Sequence, residues 1–264
     1  MAEAASGKEM SFWDHLDELR GVLIRSAIAI VAVSLVAMCF KTFMFEKVVL
    51  APVKDSFCIY RWLGITLGME LINIEVTAQF FIHLKVSLIA GLVICFPYII
   101  YEIWKFIAPA LYRREKAAVK KAFLMSSGLF YTGVLVGYFF VLPVCLNFFM
   151  GYTVSNDVQN TISLNSYISL FSSMVILIGI VFEFPTIIAV LSHIGIVTKA
   201  MLKKYRKHAL VIMMILSAII TPSDPVSMIV LAAPLYLLYE ISILTCHDRK
   251  PDEDDDDEDE VEEQ

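Results

Sequence analysis

The sequence predicts an all-α polytopic membrane protein of six transmembrane helices with both ends of the chain in the cytoplasm. Three observations carry this. Of 264 residues, 58% are hydrophobic and 18% charged, against about 25% charged in a soluble globular domain. The mean hydropathy is +0.72, more apolar surface than a soluble fold of this size can hide. The apolar residues also fall in runs that can cross roughly 30 Å of hydrocarbon, which takes about 20 residues of helix. Finally, Lys and Arg collect in alternate connections, the pattern of loops on the positive-inside face.

Taken in order, Ser11 followed three residues later by Asp14 reads as a capped helix start. Phe12, Leu16, Leu19 and Leu23 then form one stripe, so an interfacial helix leads into the first span. That span is 22–40, broken only by Arg25, which lies one turn in and can snorkel to the headgroups. The connection 41–75 contains Pro52 and apolar stretches, which predicts a partly folded external segment. The second span is 85–104, preceded by uncharged residues 76–84. The third, 122–145, opens an uncharged stretch of 35 residues ending at Asn156. As one helix it would reach about 52 Å, so Pro143 is expected to bend it, or its end to stand in water. The fourth is 167–195, where Glu183 and His193 are the only ionisable acid or base. The fifth, 209–223, and the sixth, 226–246, are joined by a tight turn at Ser223, Asp224 and Pro225. The fifth offers only about 22 Å of helix, which implies tilting or local bilayer thinning.

Charge sets the expected orientation. The N-terminus, 105–121, 199–208 and the C-terminus carry 16 Lys and Arg, whereas the opposite side carries four, all in 41–75. Both termini are therefore expected in the cytoplasm. The net charge of −6 hides this, because eleven of the 27 acids lie in 252–263; the other 16 face 21 basic residues, leaving the body net positive by five. Residues 1–246 are thus expected to form the membrane domain. Residues 247–264 are expected to be an acidic, disordered cytoplasmic tail, a self-repelling run that cannot collapse.

Nothing in the sequence points to covalent chemistry. Cys39, Cys58, Cys95, Cys145 and Cys246 have no metal or CxxC spacing, and no HExxH, Walker A or GxSxG pattern occurs. No enzyme, cofactor, metal site or nucleic-acid partner is expected, and no cleavage pattern follows the first apolar run.

Three places hold residues of functional interest. Asp14 and Glu18 share a face at i, i+4, which also suits a solvated acidic surface, with Asp17 placed to pair with Arg20. Glu115 is the one acid among Lys105, Arg113, Arg114, Lys116, Lys120 and Lys121, and can equally pair with its own arginines. Glu183 lies deep in the fourth span, followed by Phe184 and Pro185. An ionisable group there is a functional-site candidate, or else a carboxyl hydrogen-bonded inside the bundle. Lys85, Glu102 and Glu240 lie near span ends as interface residues, and Trp13, Trp104, Tyr112 and Tyr131 suit an aromatic belt.

These residues fall within motifs that resemble the TatC family, the core subunit of the twin-arginine protein translocase. The matching pieces are His15-Leu-Asp-Glu-Leu-Arg20, Phe106-Ile-Ala-Pro-Ala-Leu-Tyr-Arg-Arg-Glu115, Gly179-Ile-Val-Phe-Glu-Phe-Pro185 and Thr221-Pro-Ser-Asp224. The resemblance spans about residues 10–246. It departs at Ser223, where the family often has a second Pro, and at Met228, where some relatives carry Gln.

The resemblance implies a glove-shaped bundle of six helices in the cytoplasmic (inner) membrane. It further implies recognition of twin-arginine signal peptides by Glu18 and Glu115, with Phe106 and Leu111 nearby. Glu183, Thr221 and Pro222 would then dock partner helices from small single-span TatA- or TatB-type subunits. Self-association, lipid contact, export of folded proteins and use of the proton-motive force also follow from it. The competing reading is a proton-coupled small-solute transporter using Glu183, which predicts paired intramembrane polar groups in both halves of the chain. A membrane-bound enzyme ranks behind both, for want of a nucleophile–base or metal constellation.

Overall fold

A computed structural model describes residues 12–108, 113–153, 155, 161–221 and 225–246. The Ser11 cap, Leu111, the turn at 222–224 with Pro222, and the tail 247–264 lie outside these residues.

The chain folds as an α-helical bundle. Helix α1 is Phe12–Cys39. A single turn (Lys41–Phe43), a π turn (Met44–Val49) and a 3-10 turn (Ala51–Val53) lead to the short α2, Cys58–Leu63, and to strand β1, Leu71–Ile72. Helix α3 is Ala78–Ile107, and α4 is Arg113–Val136. A second π turn, Gly137–Val141, joins α4 to α5, Leu142–Gly151. Strand β2, Ile162–Ser163, precedes α6, Leu164–Val181, and α7, Phe184–His193. The chain then forms α8, Lys199–Lys204, α9, Arg206–Ile220, and α10, Pro225–Thr245.

Five stretches are long and apolar enough to cross a membrane: His15–Cys39, Ala78–Ile107, Val119–Gly151, Leu164–His193 and Pro225–Leu244. The remaining pass, fifth in chain order, is α9, whose 15 residues reach only about 22 Å. Two passes are interrupted: the third, where Pro143 is expected to bend it, and the fourth, which the sequence reads as continuous. Between α4 and α5 the π turn comes just before Pro143, where the widened ladder takes up the register change at a residue without an N–H. The fourth pass breaks at Phe182 and Glu183, and Pro185 falls in the first turn of α7, where a missing donor is tolerated.

Small residues set the closest contacts. A Cβ added at Gly91 of α3 would meet the Ile30 carbonyl oxygen at 2.8 Å and the Ser34 nitrogen at 3.0 Å, as well as Ser34 Oγ. Only glycine therefore lets α1 and α3 lie this close. Ser34 Oγ donates to the Ile30 carbonyl at 2.6 Å, and the Cys95 thiol donates to the Ala29 carbonyl at 3.4 Å. Gly133 of α4 plays the same part against α6. A Cβ there would lie 2.7 Å from Phe182 Cβ and 3.0 Å from Gly179 Cα. Gly133 of α4 and Gly137, the first residue of the π turn that follows, are four apart and both meet the fourth pass, the small-residue spacing that brings membrane helices together. Between α3 and α4, Phe96 stacks on Phe130 with ring centroids 3.6 Å apart.

The 41–77 segment is folded onto the bundle end. Tyr167 donates to the Val49 carbonyl at 2.5 Å and Tyr138 to the Val48 carbonyl at 2.8 Å, so two hydroxyls from the passes satisfy the π turn. Tyr60 is buried and donates to the Pro52 carbonyl at 3.0 Å. Burial, aided by Asp55, holds its phenol above the usual range, so it stays a donor. Asp55 accepts from the Leu67 and Gly68 amides at 2.7 and 3.3 Å. Strands β1 and β2 pair in parallel, Leu71 with Ile162 and Ile72 with Ser163. At the opposite end Tyr239 donates to the Leu202 carbonyl at 2.7 Å, fixing α8 on α10, and Arg206 pairs with Glu240 at 2.7 Å.

Two predictions follow from this packing. Gly91→Val forces α1 off α3 and should lower stability by about 1–3 kcal/mol, the usual range for overpacking. The check is thermal unfolding in detergent, and an unchanged midpoint would show that the two helices are not in contact. The short α9 should make the protein sensitive to bilayer thickness. Moving from medium- to long-chain lipid nanodiscs should lower the midpoint more for the native chain than for a variant with Leu-Ala-Leu-Ala inserted after Ile215. Equal shifts would mean that the shortness of α9 carries no mismatch.

Candidate functional site

Two places combine polar chemistry with an unusual setting. The first lies where the start of α1 meets the end of α3. The His15 ring stacks on Phe106 with centroids 4.2 Å apart and planes 21° from parallel. Glu18 sits one turn further along α1, half-buried, and makes no ion pair among the described residues. Two turns beyond it, Arg25 reaches across to α3. Its Nε and Nη2 donate to Glu102 Oε2 at 2.8 and 2.7 Å. The Glu102 residue is 5% exposed. The end of α3 is held in turn by α4, because Val119 and Phe123 pack against Ile100, Ile103, Trp104 and Ile107.

The structure thus brings the His15–Glu18 turn of α1 against Phe106. Glu115 lies in the first turns of α4, one turn before Val119 and hence next to the same cluster; its side chain lies outside the described atoms. Leu111 lies outside the described residues.

The second place is Glu183, at the break between α6 and α7. Its amide donates to the Ile180 carbonyl at 3.0 Å and its carbonyl accepts from the Ile187 amide at 3.0 Å, so the break leaves its backbone satisfied. The side chain is 9% exposed. Ser126 of α4, fully buried, donates to Oε2. Oε1 makes no hydrogen bond among the described residues. Glu183 therefore presents a buried acceptor with spare capacity in an apolar setting, a group that attracts a donor.

Thr221 closes α9, where its hydroxyl donates to the Ser217 carbonyl at 2.9 Å. No hydrogen bond joins it to Glu183 among the described residues, and Pro222 lies outside them. No cluster of three or more His, Cys, Asp or Glu that could hold a metal ion is present among the described residues.

Sequence reasoning missed the Arg25–Glu102 pair and Ser126. The pair had a signal: one cation and one anion, each alone near the same end of successive apolar runs. Ser126 had none, being one serine among several in the spans.

Comparison with known proteins identifies the family to which the fold belongs. The family model for the Sec-independent protein translocase protein (TatC) matches residues 14–234. A Sec-independent protein translocase protein TatC from Blattabacterium is 37% identical over 250 residues, covering 89% of this chain and 94% of its own length. The TatC of Aquifex aeolicus is 38% identical over 235 residues, covering 89% and 93%. A crystal structure of the twin arginine translocase receptor TatC superposes with a TM-score of 0.74 at 39% identity, covering 88% of this chain and 97% of the other. The same receptor in DDM gives 0.76 at 38% identity, with 88% and 99% covered. All four motifs picked out in the sequence, and both polar sites, begin within the matched region. This chain belongs to the TatC family of Sec-independent protein translocase proteins.

Proposed function

We propose that this protein is the receptor subunit that binds twin-arginine signal peptides at the α1–α3–α4 end of the bundle. From there it nucleates a complex that exports folded proteins across the cytoplasmic membrane. Glu18 and Glu115 receive the two arginines, and Phe106 and Leu111 line the same surface. The observation that carries the reading is Glu18, a half-buried carboxylate without an ion pair among the described residues, one turn from the His15–Phe106 stack.

The chemistry is favourable. A guanidinium fork suits a carboxylate better than a lysine ammonium does. Consecutive side chains of an extended peptide point in opposite directions, so two separate acids serve an Arg-Arg pair better than one. Basic residues around Glu115 suit a loop at an anionic leaflet and do not compete with the acid for an incoming arginine. The 16-to-four bias of Lys and Arg supports a cytoplasmic position for this end and for both termini. Energy then comes from the proton-motive force, in keeping with a sequence without a nucleotide motif. The remaining partners are small single-span TatA- or TatB-type subunits, further copies of this chain and lipid. Glu183 docks a polar group of a partner's helix through its spare oxygen, with Thr221 and Pro222 forming a further part of that contact surface.

Two experiments test this. In a double-mutant cycle of Glu18 and Glu115 variants against Arg→Gln changes in the peptide, each lost charge contact is worth about 1–3 kcal/mol. That is about 5- to 150-fold in affinity. Glu115→Lys should lose more than Glu115→Gln, because repulsion is added. Strictly additive effects at both acids would end the two-carboxylate account. For Glu183, crosslinking of a single-span partner to α7 should survive Glu183→Gln better than Glu183→Ala. Unchanged crosslinking with Ala would leave Glu183 a structural group only.

A further inference from the structure

We infer that Glu102 is a positioning residue that holds the Arg25 guanidinium away from Glu18, so that the Glu18 carboxylate stays free for an arginine of the signal peptide. The inference rests on the reading of Glu18 as a peptide contact.

Glu18 and Arg25 are seven residues apart on α1, two turns along the same face. Helical side chains lean toward the N-terminus of their helix, which aims Arg25 at Glu18. Gly21, midway between them, leaves the path open. A Cβ at that glycine would lie 3.0 Å from Arg25 Nη1, so the guanidinium lies back over Gly21 toward the Glu18 turn. Glu18 is among the charges that Arg25 senses, yet the two form no ion pair. The reason is across the helix interface. Nε and Nη2 converge on Glu102 Oε2, which holds the guanidinium by two donors at once.

The two carboxylates differ in what they can do without Arg25. The Glu102 side chain is 6% exposed and that of Arg25 44%. A buried carboxylate needs its cation, whereas half-buried Glu18 still has access to water. Among the described residues, the other cation that acts on Glu102 is exposed Lys105, one turn further along α3, and the Tyr98 hydroxyl faces the same carboxylate. Arg25 therefore stays with Glu102. Were Glu102 neutral, a change in the Arg25 side chain alone would carry its charge to Glu18. The receptor would then hold an arginine of its own where the peptide's should bind.

The test measures the affinity of a fluorescent twin-arginine signal peptide for the full chain in nanodiscs. Glu102→Gln, nearly isosteric, should weaken binding about 5-fold, the effect of one competing half-exposed ion pair of about 1 kcal/mol. Adding Arg25→Gln should restore the affinity, because the competitor is gone. In a Glu18→Gln background, Glu102→Gln should have no further effect. If the pair merely clamped α1 to α3, the double variant would bind no better than Glu102→Gln, and the inference would be overturned. It would be overturned equally if Glu102→Gln, folded by its thermal midpoint, bound as the native chain does. Should Glu102→Gln fail to fold, Glu102→Asp keeps the buried charge while shortening its reach, and the same weakening and rescue by Arg25→Gln are required. The underlying reading has its own control: if Glu18→Gln alone leaves binding unchanged, that reading fails and the role of Glu102 falls with it. If Glu18→Gln weakens binding but rescue is absent, only the role of Glu102 fails.

Discussion

The close approach of α1 and α3 at Gly91 is the contact on which the rest of this structure depends. From it an antiparallel seam runs toward the N-terminus of α1. Ser34 and Ile30 lie against Gly91, the Cys95 thiol reaches the Ala29 carbonyl, Arg25 reaches Glu102, and His15 stacks on Phe106. Between lipid and helix there is no hydrophobic gain to drive such pairing. Close packing and interhelical hydrogen bonds have to supply it, and small residues make both accessible. Without the missing side chain at Gly91 the seam could not close, and the Glu18 turn would have no fixed relation to Phe106.

The second constraint is that charge and bare backbone are costly in hydrocarbon. Several polar irregularities in the bundle show how this is met. Arg25 and Glu102 neutralise one another, as do Arg206 and Glu240. The break between α6 and α7 keeps its backbone bonds through Ile180 and Ile187. The π turn at Met44–Val49 has its carbonyls taken by Tyr138 and Tyr167. Others are left open within the described residues: Glu183 has one oxygen bound to Ser126 and the other without a hydrogen bond, and buried atoms of Ser26, Ser87 and His83 are likewise without one. At Glu183 the open atom belongs to an ionisable group, the costliest kind to leave so in hydrocarbon, which fits the proposed contact with another chain.

Much of this was legible in the sequence, because the membrane imposes a strong one-dimensional signal. Long apolar runs mark the passes, and Glu183 stands out as a lone acid in one of them. Other features were not legible. Arg25 and Glu102 are 77 residues apart, and only the antiparallel register of α1 and α3 joins them. The fourth pass splits at Phe182 and Glu183, just before Pro185, which has no N–H to continue the ladder, and apolar periodicity does not report such a break. At Pro143 the sequence left open a bend or a helix end standing in water, and the π turn before it is a form of interruption that neither alternative specified. The placement of Glu18 against Phe106 needed the seam itself. For Glu115 the motif set the position along the chain, and the packing of Val119 and Phe123 set the helix that carries it.

The central claim is that one surface, made by the start of α1 and the junction of α3 and α4, receives the paired arginines. The most direct measurement is photo-crosslinking from probes placed immediately beside the two arginines of a signal peptide, with the adducts mapped by mass spectrometry on the assembled protein. The account predicts adducts in the His15–Glu18 turn and around Phe106 and Glu115. Adducts confined to the 41–77 segment or to α8 and α9 would contradict it.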